Sequence, residues 1–454
     1  MSERDVIEAA DAAARAYLAD VETRPAFPGE AMIAALAAFD EPLPNAPGDA
    51  LDTIALLDRV GSPATTASNG PNYFGFVIGA SLPAGAAAER LALAWDQCAS
   101  SFVNSPVAAT IEKVAARWIL DILDLPRDSA VGFGTSATAC GLACIAAARR
   151  ALLLRAGWDL DQDGLAGAPE IRIVLPATAH ITVKKALRVL GFGARQCIEA
   201  PVDALGRVDP ARLPPLDART ILCLQAGEVN TGEFDPFAQV IPIAKDAGAW
   251  VHVDGAFGLW ARASSRRALT DGVDLADSWT TDGHKWLNTP YDSAMAICRD
   301  RAALAAAMAS DAPYLTPDPD AQRNLTLEFS RRARGLGIWA VLRTLGREGV
   351  ATLVDGHCDL ALDLAERLRG AGFEVLNRPV LNQVLVRGAS DDETARVRQR
   401  VIAAGDVWFG TTAWAGRSAF RLSISSWRTN MIHVQRLADL LQHALEHERG
   451  RPGT

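Results

Sequence analysis

From about residue 106 the chain alternates between two patterns: apolar positions three and four apart, and short unbroken apolar runs. SPVAATIEKVAARWILDIL reads as helix, AVGFG as strand, TACGLACIAAARRALLL as helix and IRIVLP as a short apolar strand. KKALRVLG (helix), TILCLQAG (strand), FAQVIPIAKDAG (helix), AWVHVD, DSWTTD and AMAICR (strands) continue the series. Unbroken apolar strands between amphipathic helices predict an α/β domain whose mostly parallel sheet is covered on both faces. Residues 1–65 predict helices broken by the Pro-rich EPLPNAPGD, an arm that must bury its apolar face elsewhere, for instance on a second subunit. After residue 330 come two long helical stretches, RRARGLGIWAVLRTLG and VATLVDGHCDLALDLAERLRGAG, then FEVL, QVLVRG, RVRQRVIAAG and FRLSISS. That alternation predicts a smaller α+β domain. The expected division is a helical arm (1–65), a large domain (66–330) and a small C-terminal domain (331–454), without internal repeats.

At 454 residues and 49% hydrophobic composition the chain can fill more than one core. Its net charge of -9 excludes the clustered positive charge that nucleic-acid binding needs. Arg266-Arg267 and Arg331-Arg332 read as solvated helix faces. Cysteines 98, 140, 144, 197, 223, 298 and 358 form no C-x-x-C pair, and this odd count suggests reduced thiols in the cytoplasm. The N-terminus MSERDVIEAADAAARAYLAD is charged and reads as an amphipathic helix, neither secretory signal nor membrane span.

Three segments carry chemistry. VHVDGAFGLW puts Asp254 at the carboxyl end of an apolar strand, where open α/β sheets bind ligands. DSWTTDGHKWLNTP places Lys285 after another strand, between His284 and Trp286. A lysine amine can hold pyridoxal 5'-phosphate as a Schiff base while a carboxylate keeps the pyridine nitrogen protonated. The plain alternative is a helix-capping Asp254 and a snorkelling surface Lys285. VLPATAHITVKKA supplies His180 just past a strand end; alone it is as readily structural, but beside the Asp and Lys it suits stacking on the cofactor ring. GFGTSATACGL is a small-residue turn opening a helix, a phosphate cradle to which Ser136 and Thr138 could add hydroxyls. Gly132-x-Gly134-x-x-Ala137 also fits a dinucleotide fingerprint loosely, yet the next strand lies too far on and ends without an acid.

Together these segments resemble the group II pyridoxal-phosphate decarboxylases, the family of glutamate, aromatic amino acid and histidine decarboxylases. The resemblance runs from PNYFGFV through AHITVKKA, NTGEFDP, HVDGAFG, ADSWTTDGHKWL and SRRARGLGIWAVLRTLG to FRLSISS. It implies the aspartate aminotransferase fold (fold type I), with a mostly parallel seven-stranded sheet in the large domain. It implies that Lys285 forms the Schiff base, Asp254 pairs with the pyridine nitrogen and His180 stacks on the ring. Thr135, Ser136, Ala137 and Thr138 would form the phosphate turn, Ala256 would lie near the ring, and Ser278 and His284 would touch the phosphate. Such proteins are usually homodimers with active sites at the interface.

Three departures mark a divergent branch. The family's Gly-Gly-Ser/Thr-Glu-Ala-Asn turn becomes Ser136-Ala137-Thr138-Ala139-Cys140-Gly141. Its Gly-Thr-Thr becomes Gly227-Glu228-Val229, and a buried Glu228 would need either an amine on the substrate or a nearby Arg, with the salt bridge favoured. The family's catalytic loop tyrosine has no counterpart, because Tyr314 sits where a loop-start Tyr-Leu pair belongs. The proton donor would then be His180, Lys285 or a group of the other subunit.

The leading expectation is α-decarboxylation of an L-amino acid through an external aldimine and a quinonoid, no nucleic acid or membrane being involved. C-C lyase chemistry like that of sphingosine-phosphate lyase, decarboxylation-coupled oxidative deamination, and transamination use the same cofactor residues, and a non-catalytic cofactor-binding scaffold is the alternative of another class. Tyr73 and Phe74 (with Asn72), Glu228 and Arg421 are candidate substrate contacts, Arg421 for a carboxylate. Trp95, Trp408 and Trp414 are as readily core.

Overall fold

The computed structural model describes residues 2–309, 318 and 320–450. Tyr314 lies outside the described residues. The chain divides into two compact units, one of residues 81–361 with 377–383, the other of 1–80 with 362–376 and 384–454. These boundaries differ from the three expected segments. Residues 66–80 join the second unit because Phe74 N donates to Trp408 O at 2.8 Å and Thr429 Oγ1 to Pro71 O at 2.8 Å. The helix Gly335–Gly370 crosses the boundary, broken at Gly346, whose φ of 61° is left-handed.

In the larger unit seven strands form one sheet: β1 (Ala130–Gly134), β2 (Arg172–Pro176), β3 (Cys197–Ala200), β4 (Thr220–Gln225), β5 (Trp250–Asp254), β6 (Ser278–Asp282) and β7 (Ala294–Cys298). Their order is β1-β7-β6-β5-β4-β2-β3. β7 runs antiparallel to both neighbours and every other pairing is parallel. This is the fold type I sheet. β1 and β4 to β7 are buried along their whole lengths, which is why β1, β4, β5 and β7 read as largely apolar runs, while β6, SWTTD, is buried yet mostly polar. β3 was not anticipated: it is a four-residue edge strand, mostly half-exposed, whose CIEA carries no such run. The helix Ala137–Arg155 buries Cys140, Cys144, Ala147 and Leu152 in the core beside the sheet. Parallel direction brings Gly134, Pro176, Gln225, Asp254 and Asp282 to one edge, the carboxyl end.

One expectation about charge is corrected. Arg331 is no solvated residue; its side chain is fully buried, and its Nη1 and Nη2 reach Glu112 Oε2 and Oε1 at 2.8 and 2.9 Å. Arg331 also donates to Ala99 O (3.0 Å) and Phe133 O (2.7 Å), and Gly335 N donates to Glu112 Oε1 (2.9 Å). A buried pair persists only when its remaining hydrogen-bonding capacity is met in this way. The network fixes Phe133 one residue before the end of β1.

The second unit carries a four-stranded sheet of β8 (Glu374–Val375), β9 (Gln383–Arg387), β10 (Gly410–Trp414) and β11 (Arg417–Ser423), ordered β10-β11-β9-β8, with helices Asp391–Ala403 and Met431–Arg449. Tyr73 stacks on Trp408 with centroids 5.0 Å apart and planes 2° apart. Gly75 permits that approach, since a Cβ there would meet Trp408 Cζ3 at 2.0 Å. The helix Glu3–Asp20 buries no residue, and Ile7, Leu18, Met32, Ile33 and Phe39 are all exposed.

Candidate active site

Lys285 stands three residues beyond β6, in a loop that both neighbouring strands hold. Gly283 N and His284 N both donate to Ser293 O, just before β7. Ser293 N in turn donates to His284 Nδ1 at 3.1 Å, so the imidazole proton sits on Nε2, which lies 3.8 Å from Asp282 Oδ1. Burial holds the His284 pKa below its ordinary value, favouring this neutral form, and the ring stacks on Tyr291 at 4.3 Å. Trp286 is buried and donates from Nε1 to His357 Nδ1 at 2.9 Å. Lys285, between these two anchored rings, has its amine 3.0 Å from Asp282 Oδ2.

Asp254 ends the neighbouring strand β5, and its Oδ1 accepts the amide of Ala256 at 3.1 Å. Ala256 O accepts Asp282 N at 2.9 Å, tying the two strand ends together. His180 is the N-cap of the helix Ile181–Val189. Its Nδ1 accepts Thr182 N at 3.4 Å and lies 2.7 Å from Thr182 Oγ1, which fixes the ring. The amide of His180 donates to Gln225 Oε1 at 3.2 Å, at the end of β4. Gln225 is held in turn, its own amide donating at 2.7 Å to Asp235 Oδ2, while Asp235 Oδ1 takes Val208 N at 2.7 Å. Complete burial pushes the Asp235 carboxyl up to about 7 against those two amides.

The small-residue turn lies where expected. Ser136 caps the helix Ala137–Arg155, its Oγ accepting Ala139 N at 3.3 Å. Gly134 is required here, because a Cβ would meet Cys140 Sγ at 2.7 Å. Thr135 and Thr138 are half-buried. The first helical amide, Ala137 N, donates to Asp282 Oδ1 at 2.6 Å. An anionic oxygen is therefore already bound at this helix start, which shows that the turn accepts the chemistry of a phosphate. With Asp254, His180 and Lys285 on the same edge, the residues fit pyridoxal phosphate.

Two expected site residues are corrected. Ser278 is the first residue of β6, about 13 Å along the strand from its carboxyl end. Its hydroxyl is engaged by Trp250 Nε1 and His252 Nδ1, each at 3.0 Å, so it is no phosphate contact. Glu228 reads neither substrate nor arginine. Its buried carboxylate accepts Asn230 N (2.7 Å), Asn230 Nδ2 (3.1 Å), Thr231 N (2.7 Å) and Thr231 Oγ1 (3.1 Å), closing its own loop between Gly227 and Gly232, both at positive φ. Tyr73, Phe74 and Arg421 belong to the second unit; Tyr73 and Phe74 are buried there, Arg421 half-buried on β11. Asp282 and Gln225 were missed. An acid three residues before the lysine was the available signal for Asp282.

A lysine and a carboxylate at neighbouring strand ends, with an anion-binding helix start on this sheet, define a pyridoxal-phosphate-dependent enzyme of fold type I. The chain belongs to the pyridoxal-dependent decarboxylase family: residues 34–387 match the model of the pyridoxal-dependent decarboxylase conserved domain. It is a carboxy-lyase acting on an amino acid. Among similar proteins, L-2,4-diaminobutyrate decarboxylase of Rhizobium meliloti is 28% identical over 81% of this chain and 77% of its own length. Phenylacetaldehyde synthase of Arabidopsis thaliana is 26% identical over 88% of each chain. The crystal structure of Oryza sativa TDC with PLP and tryptamine superposes with a TM-score of 0.90, covering 98% of each chain at 24% identity, a likeness of fold.

Proposed function

We propose that the chain removes the α-carboxylate of an L-amino acid as CO2 at the edge formed by Lys285, Asp254 and His180, working as a homodimer. The observation that carries this reading is the placement of those three residues and the 134–138 turn at the carboxyl end of a single sheet. When bound, pyridoxal phosphate supplies a protonated ring that takes up the electron pair left at Cα as CO2 departs. Asp254 is the residue to hold the proton on the ring nitrogen, its own geometry fixed by Ala256 N. His180, oriented by Thr182 and Gln225, offers a fixed ring surface for the cofactor. Lys285 Nζ would hold the cofactor and, freed from it by the substrate amine, would be the group to return a proton to Cα. The turn at 134–138 holds the phosphate with backbone amides and the helix dipole.

The dimer is supported by the N-terminal segment, whose Ile7, Leu18, Met32, Ile33 and Phe39 are exposed apolar side chains. A second product is favoured by one relative, the phenylacetaldehyde synthase, whose name denotes an aldehyde. Incubation of the pure enzyme with aromatic L-amino acids, L-2,4-diaminobutyrate and L-glutamate, scoring CO2, amine, aldehyde, ammonia and H2O2, separates the two. Amine with CO2 supports simple decarboxylation; aldehyde with ammonia and H2O2 supports the second product. No CO2 from any amino acid defeats both.

A further inference from the structure

Asp282 is buried at the end of β6, and its backbone is clamped: its amide donates to Ala256 O at 2.9 Å and its carbonyl accepts Trp260 Nε1 at 3.1 Å. Its carboxylate spans the cofactor site. Oδ1 takes the amide of Ala137, the first of the phosphate turn, at 2.6 Å, and Oδ2 lies 3.0 Å from Lys285 Nζ. Of the next two amides in the turn, Ala139 N is given to Ser136 Oγ. A carboxylate therefore occupies one phosphate donor and the Schiff-base amine at once. It can only accept hydrogen bonds, so it offers nothing to a phosphate and repels its negative charge.

We propose that Asp282 is a latch on cofactor capture: in the cofactor-free chain it holds both groups that pyridoxal phosphate must engage, and the cofactor loads by displacing it at both ends. Asp282 acts through Ala137 and Lys285 and is a positioning residue. Attack on an aldehyde needs an unengaged amine, whereas the Lys285 amine lies against the Asp282 carboxylate at 3.0 Å. Capture thus requires Lys285 Nζ to part from Asp282 Oδ2, and imine formation on the amine then releases one water. Because one carboxylate makes both contacts, its displacement from either end loosens the other, so the two halves of capture assist each other.

The inference rests on the reading of this edge as the pyridoxal-phosphate site, and one experiment separates their failures. Cofactor-free wild type, Asp282→Asn and Asp282→Ser are mixed with pyridoxal phosphate, and capture is followed by visible absorbance; inorganic phosphate is titrated separately as a probe of the turn. Loss of one like charge within a few ångströms, at the effective dielectric of a protein site, is worth about tenfold or more. Both variants are expected to capture the cofactor about tenfold faster and to bind inorganic phosphate more tightly. A merely structural lesion moves both readouts the other way, and the serine variant carries the test where the asparagine variant does not fold. Capture by the variants at or below the wild-type rate, or unchanged phosphate affinity, overturns the latch and leaves the site reading standing. Failure of all three proteins to capture the cofactor overturns both.

Discussion

Glu112→Gln probes how far the buried Glu112–Arg331 pair governs the phosphate turn. The substitution keeps the size of the side chain but removes its charge and turns one acceptor oxygen into an NH2 that faces a guanidinium N–H. Arg331, with its side chain fully buried, keeps the carbonyls of Ala99 and Phe133 and one amide oxygen, but no counter-ion. Removing one partner of such a pair costs about 3–5 kcal/mol, because the other charge stays buried without its counter-ion. That corresponds to about two to four powers of ten in the unfolding equilibrium. Urea unfolding of the cofactor-free protein, followed by tryptophan fluorescence, measures it. Because Arg331 Nη2 also holds Phe133 O, next to Gly134 at the mouth of the turn, pyridoxal phosphate should bind several-fold more weakly as well. The double variant Glu112→Leu/Arg331→Met, which replaces the pair by apolar volume, should recover most of the stability. A loss below about 1 kcal/mol in the single variant would refute the assignment of the pair as a fully desolvated one.

Further outcomes follow from other residues. Lys285→Ala should abolish CO2 release and the visible cofactor band; normal turnover in this variant sinks the central assignment. Complete burial lowers His252 to about 4 from an ordinary 6.5, so the unfolded chain takes up its proton first and stability is lost as pH falls from about 6.5 towards 4. Through that window the loss amounts to about 3 kcal/mol, and His252→Gln should flatten the acid limb of the stability curve relative to wild type; parallel limbs would show that His252 is not buried neutral. Ser278→Ala should cost about 1–3 kcal/mol, by stranding Trp250 Nε1 and His252, with no change in cofactor affinity. Weakened pyridoxal phosphate binding there would restore Ser278 as a phosphate contact.

Much of the fold was legible because burial on both faces of a parallel sheet leaves a direct trace: β1, β2, β4, β5 and β7 are each a largely apolar run in the sequence. β3, short and half-exposed at the edge, leaves none. Asp254 and His180 were legible because each stands at the carboxyl end of such a run, where chemistry collects, and Lys285 because His284 and Trp286 flank it after a short strand. Ser278 was misread because its neighbourhood in sequence is the same; only strand direction separates it from the active edge. Glu228 closing its own loop depends on the positive φ of Gly227 and Gly232, which residue identities do not reveal. Arg331 reads as solvated beside Arg332, since the carboxylate that buries it lies 219 positions away in Glu112. Asp282 escaped notice for a similar reason: its first partner, Ala137, lies 145 positions away and contributes only a backbone amide.

β7 is the one strand that reverses direction in its sheet, and the reversal makes Ser278–Cys298 a local hairpin among long crossovers. Its two legs close by contacts between near neighbours in sequence, which form at little loop-closure cost compared with the pairings of β1, β4 or β5. The segment bearing the reactive amine can therefore acquire its shape from within itself. The clasp of Gly283 and His284 on Ser293 closes the base of this hairpin, so it is a part that a redesigned enzyme must keep.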